Sequence, residues 1–211
     1  MFTYDYIIIG AGASGLLLAD ALGKDPYFSD KAVLMLDKSL NRTNDRTWCF
    51  WEMGPGEFDD LIYKSWNHIH VADKNYSKRI PIAPYKYKML RAKEFYKDFD
   101  KKIKEYANIC LLEGSVTAIE DKGTGVLVQT NKDTYEAKQV FNSIFDYKQL
   151  LNQKKYPVLQ QHFIGWFVKT PQPTFDVDQA TFMDFSIPQK GNTRFMYVLP
   201  ISKTQALVEY T

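Results

Sequence analysis

This chain of 211 residues contains only two cysteines and three histidines. Cys49 and Cys110 lie far apart and match no metal-binding spacing, so we expect two reduced thiols in the core and a reducing compartment. The sequence therefore predicts neither a disulfide framework nor a metal site.

An excess of charge of one sign is also lacking. The 27 Lys and Arg residues nearly balance the 25 Asp and Glu residues, and both signs are spread along the sequence. A surface for nucleic acid needs clustered positive charge, so we expect no nucleic-acid partner. The apolar run that follows Asp5 is interrupted by glycines, which predicts neither a signal peptide nor a membrane span. We expect a cytoplasmic protein.

Aromatic side chains, in contrast, are abundant, with 14 Tyr, 14 Phe and 4 Trp. A hydrophobic content of 45% is enough for one large or two small packed domains. An aromatic-rich core is sufficient to explain these side chains, and the alternative is a functional site that uses aromatic rings.

The first forty residues predict a dinucleotide-binding βαβ unit. An apolar run at 6–9 predicts a strand, residues 13–22 have helical periodicity, and residues 32–36 predict a second strand that ends at Asp37. Between the first strand and the helix lies G-x-G-x-x-G, with Gly10 for a tight turn, Gly12 for close approach of the pyrophosphate and Gly15 for helix packing. The diphosphate is expected at the helix N-terminus, at Ala13 and Ser14.

The bound dinucleotide is predicted to be FAD. Asp37 can accept hydrogen bonds from ribose hydroxyls and would repel a 2′-phosphate, which favours FAD or NAD over NADP. FAD is favoured over NAD because an antiparallel region interrupts the series of βαβ units. Arg46 and Arg91 are candidates for FAD phosphate or ribityl contacts, with surface arginine as the alternative. The predicted cofactor-binding residues are Gly10, Gly12, Ala13, Ser14, Gly15, Asp37, Lys38, Arg46, Arg91 and Val116.

The rest of the chain predicts further strands and one amphipathic helix. Residues 41–51 have no regular period and predict a loop rich in functional side chains. The predicted helix at 92–106 carries Phe95, Phe99, Ile103 and Tyr106 on one face, and its acidic residues favour a solvated surface helix over a membrane-bound one. Strands are predicted at 66–71, 77–82, 109–112, 115–120, 125–130 and 134–141, and beyond Pro157 at 161–169, 180–187, 193–199 and 205–211 as an antiparallel meander.

These segments predict an α/β fold in which a Rossmann-like FAD-binding βαβ domain precedes a mostly antiparallel β substrate domain, as in flavoprotein hydroxylases. The FAD-binding domain is expected at 1–156, discontinuous, with an inserted β segment at about 62–90. Residues 157–211 are expected to begin the substrate domain. The last strand runs to the end of the sequence without a turn or cap, which predicts a C-terminally truncated chain.

Five motifs occur in order along the chain. They are DRTWCFW at 45–51, QHFIGW at 161–166, FMD at 182–184, FMYVLP at 195–200 and ALVEYT at 206–211. Together they resemble the lycopene cyclases of carotenoid synthesis, especially the bacterial lycopene β-cyclases. The resemblance implies an isomerase that closes β-ionone rings at the ends of the polyene lycopene, with reduced FAD bound, NAD(P)H as its reductant and no net redox change. The insoluble substrate implies peripheral contact with the inner face of the membrane.

The resemblance also assigns the catalytic residues. Glu209 occupies the position of the family's essential acid, and a carboxylic acid in an apolar pocket can deliver a proton because burial favours its neutral form. Asp184 is the second candidate, as a proton partner or as a residue that orients Glu209. The alternative for Glu209 is an outward-facing side chain on an edge strand, and the alternative for Asp184 is a carboxylate in a hairpin. The expected walls of a substrate tunnel, with core packing as the alternative, are Trp48, Phe50, Trp51, Phe163 and Trp166.

Two other functions remain open at this stage. A redox flavoprotein of the same fold, either a monooxygenase or a geranylgeranyl-reductase-like enzyme, would use the same nucleotide site, since a fold hosts many activities. A non-catalytic nucleotide-binding fragment would keep the glycine motif and lose the chemistry.

Overall fold

The computed structural model describes residues 2–145 and 147–211, and the chain divides into two compact units. In chain order the elements are β1 (Phe2–Ile9), α1 (Ala13–Lys24), β2 (Val33–Asp37), β3 (Thr47–Met53), β4 (Ile62–Trp66), β5 (His68–Ala72), β6 (Ser77–Pro81), β7 (Tyr85–Arg91), α2 (Ala92–Glu105), β8 (Ile109–Glu113), β9 (Val116–Asp121), β10 (Val126–Thr130), β11 (Thr134–Asn142), α3 (Tyr147–Asn152), β12 (Ile164–Lys169), β13 (Gln179–Asp184), β14 (Met196–Ser202) and β15 (Gln205–Tyr210).

Unit 1 comprises Met1–Asp45 and Ala92–Lys155. Its six-stranded sheet has the order β8-β2-β1-β11-β10-β9. The first four of these strands are parallel, and β10 pairs in antiparallel orientation with both β11 and β9. Ile7 and Leu34 are fully buried in the centre of this sheet, which explains the continuous apolar runs of β1 and β2. The β1-α1-β2 unit predicted from the sequence is therefore present.

Helix α2 packs its apolar face inside unit 1. Phe95, Phe99 and Ile103 are buried, and the helix contacts α1 and β8. Tyr106 follows the last turn, and its hydroxyl donates to Oδ1 of Asp20 over 2.7 Å. The apolar face is thus covered by the unit itself, so it offers no surface to a membrane. Among the described residues, no helix is both long and apolar enough to cross a bilayer.

Unit 2 comprises Arg46–Arg91 and Tyr156–Thr211. It contains a six-stranded sheet of order β12-β15-β14-β13-β5-β6 and a three-stranded sheet of order β3-β7-β4. Side chains from both sheets form its core, and the indole of Trp66 donates to the carbonyl of Pro200 over 3.0 Å. The buried core residues are Trp66, Tyr87, Met89, Ala180, Leu199 and Leu207.

The meander predicted beyond Pro157 is wrong in its strand order. Strands β13, β14 and β15 do follow one another with antiparallel pairing. Strand β12, however, pairs with β15, and β13 pairs in parallel with β5. Alternating polarity predicts that a segment is a strand, but the choice of neighbour depends on which faces pack, which is a property of the whole unit.

The prediction of a loop at 41–51 is wrong for its second half. Strand β3 begins at Thr47 and pairs with β7 as far as the pair Met53 and Tyr85. Both faces of β3 carry aromatic contacts, since the ring of Trp51 packs on one face while that of Phe50 packs against Phe58. Because neither face is polar, the strand has no alternating pattern to reveal it.

The expectation of two core thiols is wrong for Cys110. This residue is exposed on β8, an edge strand of the unit 1 sheet, whereas Cys49 on β3 is partly buried. Both thiols are free. Across the described part of the chain, no group of His, Cys, Asp and Glu side chains is arranged to hold a metal ion.

Candidate functional site

Unit 1 forms a glycine-rich turn between β1 and α1. Gly10 has a φ of 96°, in the left-handed region, and a Cβ there would lie 2.0 Å from Oγ of Ser143. A Cβ on Gly15 would lie 1.9 Å from the carbonyl oxygen of Gly10. The turn and the start of the helix are therefore packed too closely for any side chain at either position.

Gly12 differs from these two glycines because the space beside it is open. A Cβ built on Gly12 would meet no atom of the described residues within 4 Å. The residue precedes α1 as its N-cap, and no side chain caps the helix. The first backbone N–H groups of a helix have no partner within the helix, so those of Ala13 and Ser14 are available to an anion. An open approach and a bare helix N-terminus fit the diphosphate of a dinucleotide.

Asp37 ends β2 beside this turn. Its Oδ2 accepts the N–H of Ala11 over 2.7 Å, and its Oδ1 accepts that of Ser39 over 3.1 Å. Each carboxylate oxygen keeps a second lone pair, so Asp37 can still accept hydrogen bonds from ribose hydroxyls. A groove of about 370 Å³ opens beside it, lined by Ile9, Gly10, Leu36, Asp37, Lys38, Gly114, Ser115, Val116 and Ile144.

The structure thus brings together four residues that the sequence selected for the cofactor, Gly10, Asp37, Lys38 and Val116, along one groove. This lining fits the adenosine part of FAD. Arg46 directly precedes β3 and belongs to unit 2, as does Arg91. The guanidinium of Arg91 lies over the rings of Tyr63 and Phe167, and its buried Nε has no hydrogen-bond partner among the described residues. FAD contacts by the two arginines stay predictions.

Unit 2 contains a second candidate site around Glu209 on β15. The carboxylate side chain is half-buried beside a cavity of about 190 Å³, lined by Thr47, Cys49, Tyr87, Tyr197, Leu199 and Glu209. Burial raises the pKa of Glu209 above its usual value. The protonated form is therefore favoured at this position more than in water, which is what a proton donor requires.

The neighbours of Glu209 in the sheet are Gly165 on β12 and Tyr197 on β14. A Cβ on Gly165 would lie 3.0 Å from Cγ of Glu209 and 3.2 Å from its Oε1. The absence of a side chain at Gly165 thus leaves room for the carboxyl group.

The cavity around Glu209 is lined by groups that stay neutral at pH 7. Burial raises the pKa of Cys49 to about 12, and the charge of Glu209 adds to the shift. Burial raises the pKa of Tyr87 as well. Burial also raises the pKa of Tyr197. A carboxyl group surrounded by neutral groups has no cationic partner there that would favour its ionised form.

Aromatic rings continue from this cavity. The ring of Tyr87 lies 4.8 Å from that of Trp51 and 5.6 Å from that of Phe182, and Phe182 lies 5.8 Å from Tyr197. Of the five expected tunnel residues, Trp51 is part of this aromatic group. Phe163 and Trp166 are exposed.

The structure places the remaining tunnel and catalytic candidates elsewhere in unit 2. Trp48 lies on β3 opposite Leu90, and Phe50 packs against Phe58. Asp184 is not among the residues that line the Glu209 cavity. Its Oδ1 accepts the N–H of Ser186 over 2.9 Å at the end of β13, so a catalytic role for it stays a prediction.

Sequence reasoning missed Cys49, Tyr87, Tyr197 and Gly165 as partners of Glu209. Three of them lie inside the motifs at 45–51, 161–166 and 195–200, so the motifs themselves were the available signal. Tyr87 lies outside every motif.

Comparisons with known proteins identify a family and a fold for this chain. A family model described as "Lycopene cyclase protein" matches residues 5–211. No curated protein matches the sequence.

Solved structures share the fold. A probable FAD-dependent monooxygenase, pqsL from Pseudomonas aeruginosa, superposes with a TM-score of 0.66 at 14% identity over 99% of this chain and 60% of its own. A geranylgeranyl bacteriochlorophyll reductase-like protein from Thermoplasma acidophilum gives a TM-score of 0.63 at 14% identity, over 99% of this chain and 56% of its own. The p-nitrophenol 4-monooxygenase PnpA from Pseudomonas putida gives a TM-score of 0.62 at 16% identity, over 100% of this chain and 58% of its own.

These likenesses show the fold, which is that of the flavoprotein hydroxylases and confirms the predicted fold class. The chain spans about 60% of the length of the first of these structures.

Proposed function

Because the chain belongs to the lycopene cyclase family, we propose that it is the part of a lycopene β-cyclase that carries the catalytic acid. The observation that carries this proposal is the half-buried carboxyl of Glu209 beside a cavity with neutral walls. A buried carboxylic acid without a cationic partner among the groups around it is suited to protonating a hydrocarbon, which offers no polar group to bind.

Glu209 would start the reaction. Its proton adds to the terminal double bond at the ψ-end of lycopene, and the resulting cation is attacked by the next suitable double bond, which closes a six-membered ring. Loss of a ring proton to a base then gives the β-ionone ring. One proton is gained and one is lost, so the product is an isomer of the substrate.

The walls of the cavity would protect the cation. Aromatic faces stabilise a positive charge without forming a bond to it. Tyr87, Tyr197, Phe182 and Trp51 provide such faces near Glu209. Cys49 is a thiol and not a thiolate at neutral pH, since burial raises its pKa to about 12, so it is a poor nucleophile toward the cation.

The groove in unit 1 would hold FAD, with the diphosphate at Gly12, Ala13 and Ser14 and the ribose hydroxyls at Asp37. When bound and kept reduced by NAD(P)H, this cofactor would supply an electron-rich group to the enzyme without net oxidation of the substrate. Since lycopene is insoluble in water, we also propose peripheral contact with the inner face of the membrane.

The test is product analysis. The protein, together with any further part of its chain, is incubated with lycopene, reduced FAD and NADPH. A cyclic product of unchanged mass supports the proposal, whereas a product that gains oxygen or hydrogen contradicts it. Glu209→Gln should abolish ring closure and leave flavin binding intact. Glu94→Gln, at an exposed position on α2, is the matched control and should stay active.

A redox flavoprotein is the second candidate. The similar structures include a probable FAD-dependent monooxygenase and a reductase-like protein, and these favour a fold that supports redox chemistry. The same product analysis separates the two candidates, because only redox chemistry changes the mass. Protein that is mixed with FAD, separated from free FAD and then shows no flavin absorbance would instead favour a fragment without catalytic function.

A further inference from the structure

The second stretch of unit 2 begins with an apolar segment, residues 156–167, that lies on the surface of the unit. Every residue of this segment is exposed, and residues 156–163 form neither helix nor strand. Leu159 is 89% exposed, Phe163 68% and Trp166 55%. Single apolar residues on a protein surface are ordinary, but a contiguous run of large ones marks an interaction surface.

The segment also lacks charge, since it contains no Asp, Glu, Lys or Arg. It differs in this from Met53, a strongly exposed apolar residue of the same unit that directly follows Glu52. Moving an unpaired charge out of water is costly, so a surface that enters an apolar medium should carry none. Residues 156–167 meet this requirement.

The charge that flanks the segment is positive. Lys154 and Lys155 directly precede it in the sequence, and no Asp or Glu occurs from 147 to 175. Lysine is depleted in interfaces between proteins, whereas basic residues beside exposed apolar ones are typical of surfaces that bind anionic lipid. Trp and Tyr, present here as Trp166 and Tyr156, are enriched where a protein meets the lipid headgroups. The composition therefore favours a lipid surface over a protein partner.

The segment leads directly to the acid. It includes the first part of β12, an edge strand whose neighbour in the sheet is β15. Gly165 of this segment lies opposite Glu209, and a Cβ on Gly165 would lie 3.2 Å from Oε1 of Glu209. Adjacent strands are about 4.8 Å apart, so a single strand spacing separates the exposed segment from the strand that carries the carboxyl group.

Resting on the proposed function, whose substrate dissolves in lipid, we propose that residues 156–167 form a membrane-docking surface. Their apolar side chains enter the interface of an anionic bilayer, and the lysines at 154 and 155 lie among the headgroups. Docking in this way places the edge of the sheet that is next to Glu209 at the lipid from which the polyene is drawn.

The test is sedimentation of the protein, together with any further part of its chain, with lipid vesicles. The wild type should bind vesicles of phosphatidylcholine and phosphatidylglycerol more tightly than vesicles of phosphatidylcholine alone. Leu159→Ser removes the most exposed apolar side chain of the segment and should lower the partition constant by about tenfold. The matched control is Met53→Ser, at an exposed position of the same unit, which should bind as the wild type does.

Three results would overturn the proposal. The first is equal binding of the wild type to the two kinds of vesicle, or binding to neither. The second is the same partition constant in Leu159→Ser as in the wild type, or an equal loss in Met53→Ser. The third is a dimer in analytical ultracentrifugation that Leu159→Ser dissociates, because a second copy of the chain would then cover the segment.

Activity measurements separate this proposal from the proposed function. With lycopene in vesicles, Leu159→Ser should close rings about tenfold more slowly than the wild type, and with lycopene in detergent micelles the two rates should be equal. An equal loss in both media would contradict a role in docking. If the wild type closes no rings in either medium, the cyclase assignment fails, and the sedimentation series still decides whether the segment binds the membrane.

Discussion

Gly165 and Glu209 lie directly opposite each other on β12 and β15, and a Cβ on Gly165 would lie 3.0 Å from Cγ of Glu209. Such a contact is tighter than ordinary van der Waals packing, so the carboxyl of Glu209 occupies space that a side chain at Gly165 would take. The smallest residue on β12 thus sets the position of the acid on β15.

Gly165→Ala should therefore displace the carboxyl while leaving the sheet intact. A misplacement of about 1 Å can cost about 100-fold in rate, and the shift expected here is smaller, so we expect a loss of about 10-fold in kcat. The measurement is the rate of ring closure, with a urea melt to confirm folding. Lys169→Ala, at an exposed position on the same strand, should keep the wild-type rate. Equal rates in the wild type, Gly165→Ala and Lys169→Ala would contradict the inference that Gly165 leaves the space for the carboxyl of Glu209.

Burial raises the pKa of Glu209, so the stability of the wild-type protein should depend on pH in a way that the stability of Glu209→Gln does not. At low pH Glu209 is protonated in both states and does not affect stability. As pH rises, the unfolded chain ionises first, so the folded state loses stability until pH passes the pKa of the folded state, and the deficit is constant above it.

Gln carries no charge at any pH, so the free energy of unfolding of the variant relative to the wild type should increase from about pH 3.5 to about pH 7.5. Urea unfolding at the two pH values measures it. The exposed substitution Glu94→Gln should give no comparable trend, and a flat difference for Glu209→Gln would show that its carboxyl is as well solvated in the folded as in the unfolded chain.

Gly12→Ala and Gly15→Ala should separate ligand binding from folding. The new methyl group at Gly15 would overlap the carbonyl oxygen of Gly10, so we expect a loss of about 1–3 kcal/mol in unfolding free energy together with loss of FAD binding. The methyl group at Gly12 meets open space, so stability should stay near the wild-type value while FAD binding weakens. Denaturant melts and flavin fluorescence titration measure the two quantities. Unchanged FAD affinity in Gly12→Ala would place the diphosphate elsewhere.

Asp37→Asn should weaken FAD binding by about 10-fold or more, since hydrogen bonds to a charged group contribute about 1.5–3 kcal/mol. The carboxylate also holds the N–H groups of Ala11 and Ser39, which position the turn for the ligand. Flavin titration gives the change in Kd. Asp30→Asn, at an exposed aspartate of the same unit, should bind FAD as the wild type does. If both variants bind alike, the ribose lies outside this groove.

The sequence by itself determined the frame of the candidate nucleotide site, because that frame is built locally. Gly10, Gly12 and Gly15 are held by one turn, and Asp37 follows at the end of the very next strand. A strand, a tight turn and a helix N-terminus are set by residue types over a short stretch of chain, so their spacing already carried the geometry. The buried face of α2 was predictable for the same reason, since helical periodicity relates residues three and four apart.

Tertiary structure alone decided the surroundings of Glu209. The four partners of Glu209 come from four strands. Gly165 and Tyr197 are its neighbours because β12 and β14 both pair with β15. Cys49 and Tyr87 share its cavity because the sheet of β3 and β7 packs on the sheet that contains β15. The motifs at 45–51 and 206–211 contain Cys49 and Glu209, but they do not indicate that these side chains share a cavity. Strand pairing is a long-range choice set by the packing of whole faces, and a local pattern in one sequence does not encode it.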